Sequence, residues 1–172
     1  MTVTSDINNP VKTVKKVLIA LDYARSATEV ADTGYSIAKA MNGEVVLLHV
    51  MEDATYYSTP GYVPIVGFSN FSHTDFLEMI DVEGLKKAGM HFMERMKHHL
   101  GDESIQTLIE EGDIADMVIK TAQQLHADII VIGSRSRNWL EKVFIGSTAV
   151  KVLDHTPVPL LVIPVKEDSN SK

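Results

Sequence analysis

The chain has 172 residues, 45% hydrophobic and 23% charged, with a formal net charge of −7. That length and balance suit one globular domain with a sizeable core, and the acidity argues against a nucleic-acid binder, which needs a basic face. No apolar run approaches the roughly 20 residues of a membrane span, MTVTSDINNPVKTVKK lacks the apolar stretch of a signal peptide, and the absence of cysteine excludes disulfides and thiolate chemistry, which fits a cytoplasmic location.

In chain order, residues 1–14 read as a flexible polar tail, 15–166 as one domain and 167–172 as a second tail. KKVLIALD supplies a first strand from Val17 to Leu21, closed by Asp22. In SATEVADTGYSIAKAMNG, the residues Ala27, Val30, Ala31, Ile37, Ala38 and Met41 share one helical face. Ser26 and Glu29 have the spacing of a capping box, and Asn42-Gly43 supply the stop. EVVLLHV is a second strand without polar alternation, as expected where both faces are covered.

A long segment over about 51–74, carrying Tyr56, Tyr57, Tyr62, Phe68 and Phe71, reads either as a lid over a ligand or as an excursion packed on the next helix. The spacing then predicts a helix from about Asp75 to Leu100, striped by Leu85, Ala88, Phe92, Met96 and Leu100 and stopped by Gly101. Met90, Met93 and Met96 read as gap-filling core. IQTLIEEG is a third strand. DIADMVIKTAQQLHA is a helix N-capped by Asp113, with Ala115, Val118, Ile119, Ala122 and Leu125 inward. DIIVIG is a fourth strand, STAVKVLDHT a short helix ended by Pro157, and PLLVIPV a fifth strand.

Strands alternating with helices imply an open, doubly wound, five-stranded parallel sheet with helices on both faces, an α/β fold of Rossmann-like, HUP type. Pattern alone leaves the strand order open; the expected order is 3-2-1-4-5. That order makes strands one and four neighbours, with a ligand crevice beyond their carboxyl ends. DYARS and GSRSR are the two loops that would face it.

Helix starts carry a second signal. A helix N-terminus has unpaired N–H groups and a partial positive charge, which favour a carboxylate or a bound anion. The first three helices place their own acids there: Glu29, then Asp75 and Glu78, then Asp113 and Asp116. The fourth, opening Ser147-Thr148-Ala149-Val150-Lys151, has none. Two readings stand. This end is a phosphate site, with Arg135, Arg137 and Lys142 adding charge, or Ser147 is a serine N-cap that needs no ligand.

GSRSRNWLEKVFIGST with AVKVLDHTPVPLLVIPV, together with VLIALD, VVLLHV and EEGDIADMVIKTAQQLHADIIVIGS, resembles the universal stress protein family from Lys16 to Val165. Nucleotide-binding members show G-x-x-G, nine residues, then G-[ST]. The resemblance implies an adenine nucleotide, ATP or AMP, at the crevice. By this resemblance Asp22 meets ribose hydroxyls or a phosphate-bound Mg²⁺, and Val50 offers backbone groups to the adenine edge. Ala20 and Ala38 line the floor of that region. Gly133 is the first motif glycine, with Ile132 beside it, and Arg135, Ser136 and Arg137 follow in the loop. Gly146, Ser147 and Thr148 surround the phosphates. Ser136 replaces the second motif glycine; in a left-handed conformation it costs roughly 1–2 kcal/mol, about a tenfold loss in affinity. Trp139 reshapes the pocket or anchors the loop.

The last strand, about Leu160 to Val165, reads as a hydrophobic edge fit for a homodimer, or as one blunted by Pro159 and Pro164. The resemblance implies the dimer. No Walker or G-x-G-x-x-G phosphate loop and no G-x-S-x-G elbow is present. The adjacent His98 and His99 point to different sides of their helix rather than chelating one ion, and His49 reads as a hydrogen-bonded core residue. The expected function is a nucleotide-binding stress sensor with an unidentified protein partner and no nucleic acid or membrane partner. The alternatives are a nucleotide-free interaction module, or a slow ATPase or self-phosphorylating protein using Ser134, Ser136 or Ser147.

Overall fold

A computed structural model of the chain describes residues 13–24, 26–52, 82–136 and 146–166. Among the described residues, five strands, β1 (Lys16–Ala20), β2 (Glu44–Met51), β3 (Gln106–Glu111), β4 (Ile129–Ser136) and β5 (Leu160–Lys166), alternate with four helices. The helices are α1 (Ala27–Ala40), α2 (Val82–Leu100), α3 (Ile114–Gln124) and α4 (Ser147–His155). The sheet is wholly parallel in the order β3-β2-β1-β4-β5, so the expected topology holds and β1 lies between β2 and β4.

Each face of the sheet buries its own core. On one side Val17, Ile19, Leu21, Val45 and Leu47 pack with α1 and with Phe92 and Met93 of α2. On the other, Leu18, Val46, Leu48, Ile130 and Ile132 pack with Val118 and Ala122 of α3 and Val152 of α4. This two-sided burial is why β1 and β2 lack polar alternation: Val17, Leu18 and Ile19 are successive and all fully buried. Among the described residues no helix is long and apolar enough to cross a membrane.

Local chemistry sets the helix ends, not always as expected. Ser26 is the N-cap of α1 but has helical φ and ψ and no side-chain cap bond, so the Ser26–Glu29 capping box does not form. Asn42, at φ 53°, takes the left-handed residue that ends α1, and the Gly43 N–H donates back to the Ala38 carbonyl at 2.8 Å. Asp113 caps α3 as expected, accepting from the Asp116 N–H at 3.1 Å.

On α2 the buried stripe runs through Leu85, Gly89, Phe92 and Met93, whereas Ala88 is exposed. Ala88 is three residues from Leu85, but it falls on the solvent edge of the turn where Gly89 takes the close contact. Met90 is likewise 55% exposed and is not core. The expected start of this helix near Asp75 and the aromatic segment at 51–74 lie, from residue 53 on, outside the described residues.

Candidate nucleotide site

In a parallel sheet every strand points the same way, so the loops after β1 and β4 share one end, and α4 begins at that end because it runs back against the strands. β1 pairs with β4 from Val17↔Ile129 to Ile19↔Val131, and Ala20 and Ile132 come next along the two strands. Ile132 belongs to the core cluster that holds Ala149 and Val152 of α4, and Ala20 packs against it. The fold therefore gathers Ala20, Asp22, Ile132, Gly133 and the Gly146–Thr148 start of α4 at the carboxyl edge. Ala38, buried near the other end of α1, is core rather than floor.

Backbone direction sharpens the placement of Val50. The Leu48 carbonyl accepts from Leu21 N–H on the β1 side at 2.8 Å, and the Met51 carbonyl accepts from Gly112 N–H on the β3 side at 2.9 Å. Backbone groups alternate sides along a strand, so the N–H and C=O of Val50 face the β1 side. There β1 has already stopped at Ala20. The same alternation, counted from Ile130 N–H bonding Pro159 on β5 at 2.9 Å, turns the peptide groups of Gly133 toward the same gap.

Asp22 is exposed just past β1, and its Oδ1 accepts from Ala24 N–H at 3.0 Å, which fixes the carboxylate at the mouth of the turn. The N-cap of α4 is Gly146, with no side chain to cap the helix and no acid in the first turn; Ser147 is the first helical residue and is exposed. The serine N-cap reading is thus overturned: the residue with extended backbone at the helix start is the glycine. Lys151, one turn further on, pairs with Asp113 at 2.9 Å and Asp116 at 3.1 Å on α3. Those carboxylates raise the Lys151 pKa, and Asp113 is held low by the Asp116 N–H and by Lys151. Glu52, past β2, is raised by burial and by Asp113.

Strand β4 runs further than expected. Ser134, Arg135 and Ser136 are not loop but strand, pairing with Pro164, Val165 and Lys166. Ser136 is therefore extended and does not incur the left-handed cost expected of it; among the described non-glycine residues, only Asn42 and His126 have positive φ. Gly133 also has a packing role. A β-carbon there would stand 2.8 Å from Cγ2 of Val30 on α1. Arg137, Trp139 and Lys142 lie outside the described residues.

His49 is core, as its place in an apolar strand implies, and it is also a neighbour of the site, which no local sequence signal shows. It is 3% exposed, and its Nδ1 donates to the Leu21 carbonyl at 2.9 Å. Its ring lies 4.4 Å from that of Tyr23 and 5.6 Å from that of Phe92. Burial pushes its pKa below the ordinary histidine value, against the opposing pull of the Leu21 bond and of Asp22.

A cavity of about 320 Å³ opens at the other end of the sheet, lined by Lys39, Asn42, Glu44, Asp102, Ser104 and Gln106. Asp102 is the centre of a polar network there: it pairs with Lys39 at 2.6 Å and accepts from Tyr35 at 2.9 Å and from Ser104. This network ties α1 to the turn before β3 and is structural. Among the described residues no three His, Asp or Glu side chains gather to hold a metal. One carboxylate such as Asp22 nevertheless suits a Mg²⁺ that takes its other ligands from phosphates and water.

Comparison with known proteins gives the family and the fold. A protein from Bacillus subtilis, universal stress protein YxiE, is 28% identical over 154 residues, which is 86% of this chain and 97% of the relative. The solved structure of hypothetical protein MJ0577 superposes with a TM-score of 0.64 at 23% identity, covering 91% of this chain and all of that one. A universal stress protein in complex with cAMP superposes with a TM-score of 0.57 at 18% identity, covering 88% and 98%. The profile of the universal stress protein family matches residues 13–164, and the chain belongs to that family.

Proposed function

We propose that this chain binds an adenine nucleotide, ATP or AMP, beyond the carboxyl ends of β1 and β4 and acts as a stress-linked sensor. The observation that carries this reading is the start of α4. It has neither a side-chain cap nor a first-turn acid, and it opens at the edge where Asp22 stands past β1. Unpaired N–H groups and the helix dipole suit phosphate oxygens there.

In this reading the amides of Gly146, Ser147 and Thr148 take the phosphates, and Arg135, Ser136 and Arg137 add donors and charge. Asp22 accepts from ribose hydroxyls or holds a phosphate-bound Mg²⁺. The Val50 peptide groups meet the adenine edge, over a floor of Ala20, Ile132 and Gly133. The relative in complex with cAMP lends the same ligand class to this fold.

Calorimetric titration with millimolar ATP, ADP and AMP, with and without magnesium, tests the proposal. Saturable heat is expected with at least one of them, and no heat with any would overturn it. That second result would favour a nucleotide-free interaction module, a reading to which the run of β4 through Ser136 gives some weight.

A homodimer through β5 is part of the proposal. The backbone of Leu161 faces β4, since Ile130 is bonded to this strand, so alternation turns Leu160, Val162 and Pro164 outward. Pro164 lacks an N–H on the side where no ladder bond to β4 is lost, which leaves Leu160 and Val162 to pair with a second copy. Sedimentation at twice the 19.0 kDa chain mass is expected, and a monomer at all concentrations would contradict it.

A further inference from the structure

The β1–β2 ladder stops one bond short. Leu21 N–H still bonds to the Leu48 carbonyl at 2.8 Å, and in a continuing parallel ladder the Leu21 carbonyl would next accept from Val50 N–H. Instead it accepts from the imidazole Nδ1 of His49 at 2.9 Å. A carbonyl can only accept, so Nδ1 carries the proton and the neutral ring has a bare Nε2. That Nε2 is buried and has no hydrogen-bond partner among the described residues.

The ring is held in place from several sides. Tyr23 stacks edge-on at 4.4 Å, Phe92 of α2 lies at 5.6 Å, and Gly89 brings α2 close enough that an added β-carbon would sit 3.5 Å from the imidazole Cδ2. A buried nitrogen without a partner among the described residues is costly. The bond made by the other nitrogen lies beside the point where β1 leaves the sheet.

We propose that His49 is a positioning residue for the nucleotide site: its Nδ1–H takes the Leu21 carbonyl away from the Val50 amide, leaving that amide turned toward the crevice and fixing the peptide that leads into Asp22. The inference rests on the reading of the carboxyl edge as a nucleotide site, but its structural half can be tested without ligand.

Two substitutions separate donor from ring. His49→Asn keeps an N–H near the Nδ1 position and loses the ring; His49→Phe keeps the aromatic contacts and loses the donor. ATP affinity is expected to fall about tenfold in His49→Phe and to stay within about threefold of the wild type in His49→Asn. Equal losses in both, or full affinity in His49→Phe, would overturn the proposal.

The ligand-free protein gives an independent reading. Nitrogen-15 spectra of the wild-type imidazole should show the Nδ1–H tautomer, and amide exchange at Val50 should slow in His49→Phe as the ladder closes onto Leu21. An Nε2–H tautomer, or unchanged Val50 exchange, would sink the positioning role. A wild type that binds no nucleotide but passes both of these tests would instead sink the nucleotide reading and leave the ladder-ending role standing.

Discussion

Cγ2 of Val30 lies 2.8 Å from the point where a β-carbon on Gly133 would stand. Gly133 has no positive φ, so its requirement is for space rather than for backbone freedom. Valine is stiff at χ1, and Val30 is 3% exposed in the α1 core, so it cannot swing away. Gly133→Ala should force α1 off the sheet and lower stability by about 1–3 kcal/mol, read as a shifted midpoint in urea with an unchanged slope. An unchanged midpoint would show that this helix–strand contact is loose.

Gly146 should respond in the opposite sense. As the N-cap of α4 it has φ −57° and ψ 154°, which any residue can adopt. Gly146→Asp adds a capping carboxylate, worth about a few tenths of a kcal/mol over glycine, and sets a negative charge where the phosphates are proposed to bind. Thermal stability should rise slightly while nucleotide affinity falls at least about tenfold. If stability and affinity fall together, the glycine is structural and not ligand-facing.

At Asp22 the charge can be removed without removing the turn. Asp22→Asn keeps an oxygen to accept from Ala24 N–H, the 3.0 Å bond that shapes the start of the loop. Hydrogen bonds to charged groups are worth about 1.5–3 kcal/mol, so calorimetry should show affinity for ATP reduced about ten- to a hundredfold. The melting temperature should hardly move.

The buried His49 gives stability a pH dependence of defined sign. Its native pKa is lowered from 6.5, so on acidification the unfolded chain takes up this proton before the folded one does. The stabilisation is fully present above about 6.5 and is lost as pH falls from there toward the native pKa. Asp102 works in a separate window: bonds from Lys39, Ser104 and Tyr35 hold it well below 3.8, so its contribution is complete above 3.8 and goes only in stronger acid. Urea midpoints measured from pH 7.5 to 5 should slope less steeply in His49→Phe than in the wild type. Parallel slopes would mean that His49 is not buried as a neutral ring.

Strand and helix periodicity placed every element of the sheet because both faces are covered and the apolar runs are unambiguous, as in Val17-Leu18-Ile19 and Ile130-Val131-Ile132. What periodicity could not show depends on partners distant in sequence. Ser136 read as a loop residue because a turn-like GSRSR follows DIIVIG, yet β5 offers ladder bonds as far as Lys166 and the strand continues to meet them. Ser26 has the right spacing for a capping box, but it turns helical before its side chain can cap. His49 looked like any polar residue in an apolar strand. Its tie to Leu21, 28 residues away, exists only once β1 and β2 are side by side.

Backbone amide spectra recorded during titration with ATP test the location most directly. Shifts are expected to concentrate at Leu21–Ala24, Val50, Ile132–Ser136 and Gly146–Ala149. Shifts confined instead to Lys39, Asn42, Ser104 and Gln106, at the far end of the sheet, would contradict the account.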